Sequence, residues 1–304
     1  MPSPCVAIRY VDRASGQQRD EIVLDVGLVR FVYGSRVGLA LRTAILTRPF
    51  FNQVYGRFQS SAWSKPSIER VTRRLAIDMS DYVVPPGGFA HFNAFFARSL
   101  RPGARPMEGD PSRLVSPADG RLFAYTEVTG DTLLPAKGRA ISLRELLADD
   151  VEARRFTDGT VLVVRLSPGD YHRFHFPCDG DASAPRSIAG PLESVDPIAL
   201  ASGCAILDRN RRDVTLFETE RFGHVAYLEI GAMCVGSIVH SFAPGRARAG
   251  DEKGFFQFGG STVIDVLERG CITIDPDLVA HTRRGLETFV RMGEGVGTAV
   301  SPHA

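Results

Sequence analysis

From Pro106 onward the chain is a series of short apolar runs separated by glycine, proline and aspartate, and this pattern constrains the fold more than any other feature. Short runs that are rich in β-branched residues and bounded by turn residues are typical of antiparallel strands. One helix interrupts them at residues 142–147, because Ser142 and Glu145 have the spacing of a capping box. We predict strands at residues 121–128, 160–166, 224–230, 235–242, 262–267 and 271–274.

The residues before Pro106 have helical character. Lys65-Pro66-Ser67 is typical of a helix start, since proline is tolerated in the first turn. We predict an α+β fold with two parts, a helical region at residues 1–105 and a mainly antiparallel β domain at residues 106–304. Within residues 89–100 the apolar side chains recur at helical spacing, namely Phe92, Phe95, Phe96 and Leu100.

Residues 26–68, here termed the basic segment, contain no acidic residue and six cations: Arg30, Arg36, Arg42, Arg48, Arg57 and Lys65. Basic segments with apolar residues between the cations can lie in the interface of an anionic membrane. The first four arginines are six residues apart, so they step around a helix instead of following one face. Gly34 and Gly38 predict a break into two short helices. A membrane-surface element and ordinary docked helices therefore both remain open.

The composition argues against several classes of protein. The formal net charge is +1, which gives no overall field for binding nucleic acid. The five cysteines are odd in number and lack Cys-x-x-Cys spacing, which disfavours a disulfide framework or a zinc site and favours a reducing compartment. Residues 1–20 lack the apolar core of a signal peptide, and no run of 18 uncharged apolar residues is present to span a membrane.

The stretch Gly259-Gly260-Ser261-Thr262 lies between an aromatic run and a β-branched run, which predicts a strand, a tight turn and a second strand. Two glycines allow backbone conformations closed to other residues, so the serine hydroxyl can reach the carbonyl of Gly260. A simple hairpin turn is the alternative. The serine does not lie in a Gly-x-Ser-x-Gly sequence, so an ordinary hydrolase elbow is not supported.

Two of the seven histidines, His172 and His175, lie in one short segment, which favours acid–base chemistry over a purely structural role. A metal site is disfavoured because no third ligand motif accompanies them. A serine, a histidine and an aspartate are the residue types of a nucleophile–base–orienter triad.

Asp119 belongs to a Pro-x-Asp-Gly turn at residues 117–120, where an aspartate usually bonds its own backbone. A related turn at residues 177–180 is consistent with an internal duplication. Three arginines precede this turn, namely Arg98, Arg101 and Arg105. They are explained either as a phosphate-binding cluster or as part of a solvated linker.

Taken together, the motifs resemble the phosphatidylserine decarboxylases, a family of self-processing proenzymes that depend on a pyruvoyl group. The resemblance covers residues 90–294 in the family's order and is specific because so many motifs coincide. It rests on Phe95-Phe-x-Arg-x-Leu-x-Pro-Gly-x-Arg-Pro106, Val115-Ser-Pro-Ala-Asp-Gly120, Lys137-Gly with Ser142-Leu143 and Leu146-Leu147, Asp170-Tyr-His-Arg-Phe-His-x-Pro177, Gly231-Ala-x-x-Val-Gly-Ser-Ile238, Lys253-Gly with Gly260-Ser-Thr262, and Val290-Arg-Met-Gly-Glu294.

The resemblance implies self-cleavage between Gly260 and Ser261. The serine hydroxyl attacks the preceding carbonyl, and β-elimination of the resulting ester releases a β chain, 1–260, from an α chain, 261–304. The α chain then begins with a pyruvoyl group made from the serine, and this group is the implied covalent cofactor.

The resemblance also implies how the residues share the chemistry. Decarboxylation beside an amine needs an electron sink, which the pyruvoyl carbonyl provides through a Schiff base as phosphatidylserine becomes phosphatidylethanolamine. Asp119 and His175 are implied to assist cleavage, and His172 is implied to donate the proton during turnover. No metal ion is expected.

The implied partners are phosphatidylserine in an anionic membrane and the protein's own cleaved chains, with a homodimer allowed and nucleic acid not expected. The implied location is peripheral, on the cytoplasmic face of the bacterial cell membrane. Two other functions remain open. One is a hydrolase that uses Ser261, His175 and Asp119 on an external ester or amide, and the other is a non-catalytic lipid-binding relative of the family.

Overall fold

The computed structural model describes residues 8–22, 24, 26–128, 142–195, 197–200, 206–233, 238–258 and 261–300. Among these residues there is no helix with the length and hydropathy of a transmembrane span. A π-helical turn, Arg42–Leu46, and a 3₁₀ turn, Ala62–Ser64, lie among the N-terminal helices. The α-helices are α1 (Val26–Gly34), α2 (Arg36–Leu41), α3 (Pro49–Gln59), α4 (Pro66–Arg74), α5 (Phe92–Phe96), α6 (Leu143–Leu147), α7 (Asp150–Arg155), α8 (Pro197–Leu200) and α9 (Pro276–Arg283).

The strands of the same residues form one large sheet and two small ones. They are β1 (Arg9–Asp12), β2 (Gln17–Asp20), β3 (Arg113–Val115), β4 (Gly120–Val128), β5 (Gly159–Leu166), β6 (Arg173–His175), β7 (Gly180–Ala182), β8 (Arg186–Ile188), β9 (Arg212–Thr219), β10 (His224–Gly231), β11 (Ile238–His240), β12 (Gly245–Ala247), β13 (Glu252–Phe256), β14 (Ser261–Leu267), β15 (Ile272–Ile274), β16 (Glu287–Val290) and β17 (Gly295–Ala299).

The large sheet has the order β12-β7-β9-β10-β14-β5-β4-β16-β1-β2, with β8 also paired to β9. The small sheets have the orders β11-β13-β6 and β15-β17-β3. Only β1 and β16 pair in parallel among the described strands. Every residue of β14 is buried, and this strand lies between β10 and β5. The predicted α+β fold with a mainly antiparallel sheet is confirmed.

The strands on either side of the Gly-Gly-Ser stretch do not form a hairpin. β13 pairs with β11 and β6 in a small sheet, whereas β14 pairs with β10 and β5 in the large one. Both predicted strands exist, but the alternative of a hairpin turn is wrong. The sequence pattern identifies each strand and carries no information about its partners. The two glycines themselves, 259 and 260, lie outside the described residues.

Most predicted β runs appear with shifts of one residue at their ends. The prediction at 235–242 is realised only as β11, and residues 234–237 lie outside the described ranges. The β part also contains α7, α8 and α9, which the sequence analysis did not predict. The predicted helix at 142–147 is confirmed as α6, where the Ser142 hydroxyl accepts the Glu145 N–H at 3.1 Å.

The N-terminal helices are shorter than their sequence patterns. The apolar spacing in 89–100 yields only α5, whose phenylalanines are buried. The basic segment breaks after Gly34, where Ser35 caps α2 by accepting the Gly38 N–H. Gly38 lies inside α2, and a Cβ there would lie 1.9 Å from the carbonyl oxygen of Phe31. Its role is therefore close packing of α1 on α2, and the helix break occurs at Gly34.

Residues before 22 contribute two strands to the large sheet, within the region that the sequence predicts to be helical. β1 pairs with β16 in parallel and with β2 in antiparallel orientation, so they form the edge of the sheet. The boundary between residues 105 and 106 remains a prediction, with the addition that the N-terminal region supplies these two strands.

The two Pro-x-Asp-Gly turns lie side by side and exchange equivalent hydrogen bonds. Val115 N donates to Pro177 O (3.0 Å), and His175 N donates to Pro117 O (2.8 Å). Ser116 exchanges two backbone hydrogen bonds with residues 293–294 (2.8 and 3.0 Å). Phe176, the corresponding residue of the second turn, exchanges two backbone hydrogen bonds with residues 250–251 (both 2.9 Å). The glycine of each of these segments has a positive φ, 85° and 84°. Such equivalence is what an internal duplication predicts.

Candidate active site

Ser261 is the first residue of β14 and is fully buried. Its backbone is held on both sides, because it stands opposite Gly231 on β10 and opposite Leu166 on β5. Side chains alternate along a strand, so Ser261, Val263 and Asp265 point to one face of the sheet. The sheet thus fixes where the serine hydroxyl points before any chemistry begins.

His172 is the histidine in contact with this serine. Its Nδ1 lies 3.0 Å from the Ser261 hydroxyl, and its Nε2 lies 3.0 Å from the Ser167 carbonyl oxygen. A carbonyl oxygen only accepts, so Nε2 carries the hydrogen and Nδ1 is left to accept from the hydroxyl. Burial, aided by the positive charge of Arg98, lowers the pKa of His172 well below its ordinary value. The serine therefore faces a neutral imidazole with a free lone pair.

Two further contacts hold His172 in place. The ring of Phe96 stacks on the imidazole, with ring centroids 3.7 Å apart. The backbone carbonyl of His172 accepts the N–H of Phe256, the last residue of β13, at 2.9 Å. The small sheet and α5 therefore both restrain the histidine against the large sheet that carries the serine.

His175 lies close by but makes a different set of contacts. Its Nδ1 donates to the carbonyl oxygen of Gly250 (2.9 Å), and its Nε2 accepts the hydroxyl of Tyr171 (3.1 Å). Burial lowers the pKa of His175, although Asp119 opposes this shift by its negative charge. Neither ring nitrogen has a hydrogen bond with Ser261, so the two histidines of the motif are separated in the structure.

Asp119 is buried and accepts from the guanidinium of Arg105 at 2.6 Å and from the backbone N–H of Met292 at 2.8 Å. The second turn repeats the backbone contact, since Asp179 accepts the N–H of Ala249, also at 2.8 Å. The contact that distinguishes Asp119 is therefore the ion pair. Asp119 acts on His175 by its charge, because no hydrogen bond joins the two side chains among the described contacts.

Comparison with known proteins decides the family. The family model described as phosphatidylserine decarboxylase matches residues 92–298. A phosphatidylserine decarboxylase proenzyme of Chlamydia pneumoniae is 40% identical over 290 residues, which cover 95% of this chain and 96% of the relative. The chain belongs to the phosphatidylserine decarboxylase family. Proenzymes of the same name from Fusobacterium nucleatum (38% over 291 residues; 95% and 97% covered) and Clostridium kluyveri (40% over 291 residues; 95% and 98% covered) are similarly close.

Of the residues that the family resemblance singles out, this decarboxylase-family chain brings Ser261 and His172 into contact and places Asp119 and His175 in a neighbouring group. Gly260 lies outside the described residues. Sequence reasoning missed Tyr171 and Arg105 as the partners of His175 and Asp119. The tyrosine directly precedes His172 in the chain, which was the available signal.

Sequence reasoning also missed a buried ionic cluster on the serine's face of the sheet. Lys253, on β13, pairs with Glu229 on β10, and neither side chain is exposed. Asp265 lies two strand positions beyond Val263 on the same face, and burial raises its pKa to about 8. The signal was a charged residue within each of the apolar runs that form β10 and β14.

The arginine cluster has a structural role in this member of the family. Arg98 is buried and donates to the carbonyl oxygens of Gly169 and Asp170 (2.8 and 2.9 Å). Arg101 donates to the Tyr82 carbonyl oxygen (3.0 Å). For Arg98 and Arg105, whose side chains are buried in these contacts and in the ion pair with Asp119, both explanations from the sequence are wrong, whereas Arg101 is exposed. In the described part of the chain, no group of three or more His, Cys, Asp and Glu side chains is arranged to hold a metal ion.

Proposed function

We propose that this chain cleaves itself and then converts phosphatidylserine to phosphatidylethanolamine, with a pyruvoyl group made from Ser261. The observation that carries the proposal is the 3.0 Å contact between the Ser261 hydroxyl and the neutral Nδ1 of His172. The names of the relatives, phosphatidylserine decarboxylase proenzymes, support both the substrate and the processing.

The site suits removal of a proton from Ser261. The bond from His172 Nε2 to the Ser167 carbonyl fixes the tautomer, so Nδ1 can take the hydroxyl proton as the oxygen attacks the preceding carbonyl. Cleavage would leave residue 261 as the first residue of the α chain, still paired between β10 and β5. The new chain end therefore stays against the same histidine.

A pyruvoyl group at residue 261 would supply a carbonyl that takes up the electrons released as CO2 leaves. The protein's own residues exclude water and manage the proton. Ser261 and His172 are both fully buried, and the Phe96 ring covers the imidazole. His172 is the group in place to return a proton to the carbon that loses CO2, since its Nδ1 faces residue 261.

Asp119 and His175 are proposed to assist cleavage by positioning. Tyr171, which precedes His172, donates its hydroxyl to His175. His175 in turn is tied through its backbone N–H to Pro117 in the turn that contains Asp119. The pair thus holds the segment that presents His172, at a distance from the serine itself.

The two other functions are less well supported. Ser261 is fully buried in the uncleaved chain, where an external ester or amide would reach its hydroxyl only after a rearrangement, and this disfavours a hydrolase that acts as the intact chain. A non-catalytic lipid-binding relative gives no reason for the contact between Ser261 and a histidine held in the required tautomer.

The basic segment is proposed to bind anionic membrane at the cytoplasmic face. Ten of the fifteen large apolar side chains exposed in the described residues lie within residues 26–68, including Trp63 (85% exposed) and Phe50 (76%). Exposed apolar side chains among cations fit the headgroup region of a bilayer. The cleaved chains and a homodimer are proposed as further partners, with the domain boundary near residue 105.

The proposal is tested by supplying anionic vesicles that contain phosphatidylserine and measuring phosphatidylethanolamine and CO2. The unmodified protein should form both in equal amounts. Ser261→Ala should form neither, while keeping the far-UV circular dichroism of the unmodified protein. Equal product formation by Ser261→Ala would refute the proposed origin of the pyruvoyl group.

A further inference from the structure

The reacting residues are closed off from the surface. Ser261 and His172 are each 0% exposed, so a lipid headgroup reaches residue 261 only after a covering group moves. On one side the cover is a pair of rings. Phe96 stacks on His172 at 3.7 Å, and Phe258 packs edge-on against Phe96 with centroids 5.2 Å apart.

The outer of these two rings touches the helix proposed to face the membrane. Phe258 lies 6.1 Å from the ring of Tyr55 on α3. The same helix exposes Phe50, Val54 and Phe58, which are 76%, 50% and 49% exposed. A continuous series of ring contacts therefore connects the exposed apolar side of α3 to the imidazole at the serine.

Phe258 is also tied to α3 by hydrogen bonds. Its backbone N–H donates to the Oδ1 of Asn93 at 2.8 Å. The Nδ2 of the same asparagine donates to the Ser60 hydroxyl (2.9 Å) and to the Gly56 carbonyl oxygen (3.3 Å), at the end of α3. One buried amide thus links the ring that covers the site to the proposed membrane helix.

Phe258 lies two residues before the proposed cleavage site, so cleavage would change how this residue is held. In the uncleaved protein the residue is held from both directions, by β13, which ends at Phe256, and by β14, which begins at Ser261. Cleavage between residues 260 and 261 would make Phe258 the third residue from a free carboxyl end. Terminal residues are ordered only where contacts hold them. Among the described residues, the contacts of Phe258 are one backbone hydrogen bond and ring packing against Phe92, Phe96 and Tyr55.

We propose that Phe258 closes the route by which the headgroup of phosphatidylserine passes from the membrane side of α3 to residue 261, and that self-cleavage releases Phe258 and opens this route. The inference rests on the proposed function. It means that the uncleaved chain cannot admit lipid, and that the mature enzyme takes its substrate from the bilayer instead of from water.

A second route would start from a polar pocket of about 440 Å³ on another side of the site. Its lining includes Ser167, whose carbonyl accepts from His172, and the ion pair of Arg121 with Asp170. Such a charged lining suits water or a small ion better than the glycerol and acyl parts of a lipid. If lipid entered there, Phe258 would have no reason to move on cleavage.

The test uses tryptophan as a probe of residue 258. The sequence has a single tryptophan, Trp63, so Trp63→Phe with Phe258→Trp leaves one emitter at the site of interest. We compare its quenching by acrylamide in the mature protein and in the same protein carrying Ser261→Ala, which stays uncleaved. We expect at least a several-fold larger quenching constant after cleavage. Equal constants in the two proteins would overturn the proposal.

Trp63→Phe with Phe255→Trp is the matched control. Phe255 is a partly exposed phenylalanine on β13 that packs on Arg173, and its quenching should not change on cleavage. A similar rise at both positions would mean general loosening of the chain end, which also refutes a specific release of Phe258.

A second measurement needs no substitution at Phe258. Carboxypeptidase is added to the mature, unmodified protein and the mass of the β chain is followed. Removal of Phe258 from the β chain is expected, because a released ring exposes the peptide end. If digestion leaves Phe258 on the β chain of a protein that still decarboxylates lipid, the proposal is overturned. Failure to cleave at all would instead refute the proposed function, so the two failures are distinguishable.

Discussion

Asp119→Asn, compared with Asp179→Asn, separates the contribution of the buried ion pair from that of the turn. The duplicated turns give each aspartate the same backbone contact, an N–H at 2.8 Å, which an asparagine oxygen can keep. Asp119 alone of the two is buried and paired with Arg105 at 2.6 Å. The two substitutions are therefore matched in local geometry and differ in the charge they remove.

The magnitude follows from burial. Removing one charge of a buried ion pair costs about 3–5 kcal/mol, because the other charge is left uncompensated. Arg105 keeps a second carboxylate, Asp81, at 2.6 Å, so we expect the lower end, about 3 kcal/mol, for Asp119→Asn. Asp179 is exposed, and weakening one exposed hydrogen bond costs at most about 1 kcal/mol.

Both variants are made in the Ser261→Ala protein, so that every sample is one uncleaved chain, and unfolding is followed in urea. A shift of the midpoint at constant slope reports the stability difference. The same pair in the unmodified protein gives cleavage rates, and Asp119→Asn should slow cleavage far more than Asp179→Asn. Equal losses of stability and equal cleavage would show that Asp119 is only a turn residue and would refute this reasoning.

Further predictions concern the histidines, the membrane and pH. His172→Ala should slow self-cleavage and should also slow lipid decarboxylation, the latter by about 10²–10⁴, whereas His175→Ala should chiefly slow self-cleavage. Gel electrophoresis measures cleavage and product assays measure decarboxylation. Normal cleavage and normal decarboxylation in both variants would contradict the proposed roles of the two histidines. A protein that begins at Lys65 should lose most of the salt-sensitive binding to anionic vesicles that the full chain shows. In the full chain, the emission of Trp63 should shift to the blue on binding. If the shortened protein and the full chain sedimented equally with the vesicles at every salt concentration, the proposed role of the basic segment would be contradicted. Burial raises the pKa of the Asp265 carboxyl to about 8 in the folded protein, against 3.8 as its ordinary value. Because the unfolded chain releases this proton at lower pH, the free energy of unfolding should fall as the pH rises between these two values. Urea unfolding at several pH values measures this fall, and Asp265→Asn should remove it.

Local pattern identified several of the longer elements, missed others such as the eight-residue β9, and carried no information about which strands pair. β-branched runs bounded by glycine and aspartate identified β4, β5, β10 and β14 because strand preference is a local property. That β13 and β14 enter different sheets depends on pairing with strands far away in sequence, which no local pattern encodes. Strands of only three residues, such as β6 and β7, give too few alternations to be seen in advance.

The site shows the same division. The resemblance named His172, His175 and Asp119, yet which histidine faces Ser261 depends on how β6 and the segment before it are held in space. A spacing of three residues in an extended segment can point two rings in different directions, and only the packing decides. The contacts of Phe258 with Phe96 and Tyr55 were equally hidden, since an aromatic run at the end of a strand predicts only ordinary core packing.

Intact mass spectrometry of the purified protein tests the central claim most directly. The account predicts two chains, residues 1–260 and residues 261–304, with the shorter one blocked at its N-terminus by a pyruvoyl group. Ser261→Ala should give one chain of 304 residues. A single uncleaved species from the unmodified protein that still converts phosphatidylserine to phosphatidylethanolamine would contradict the account.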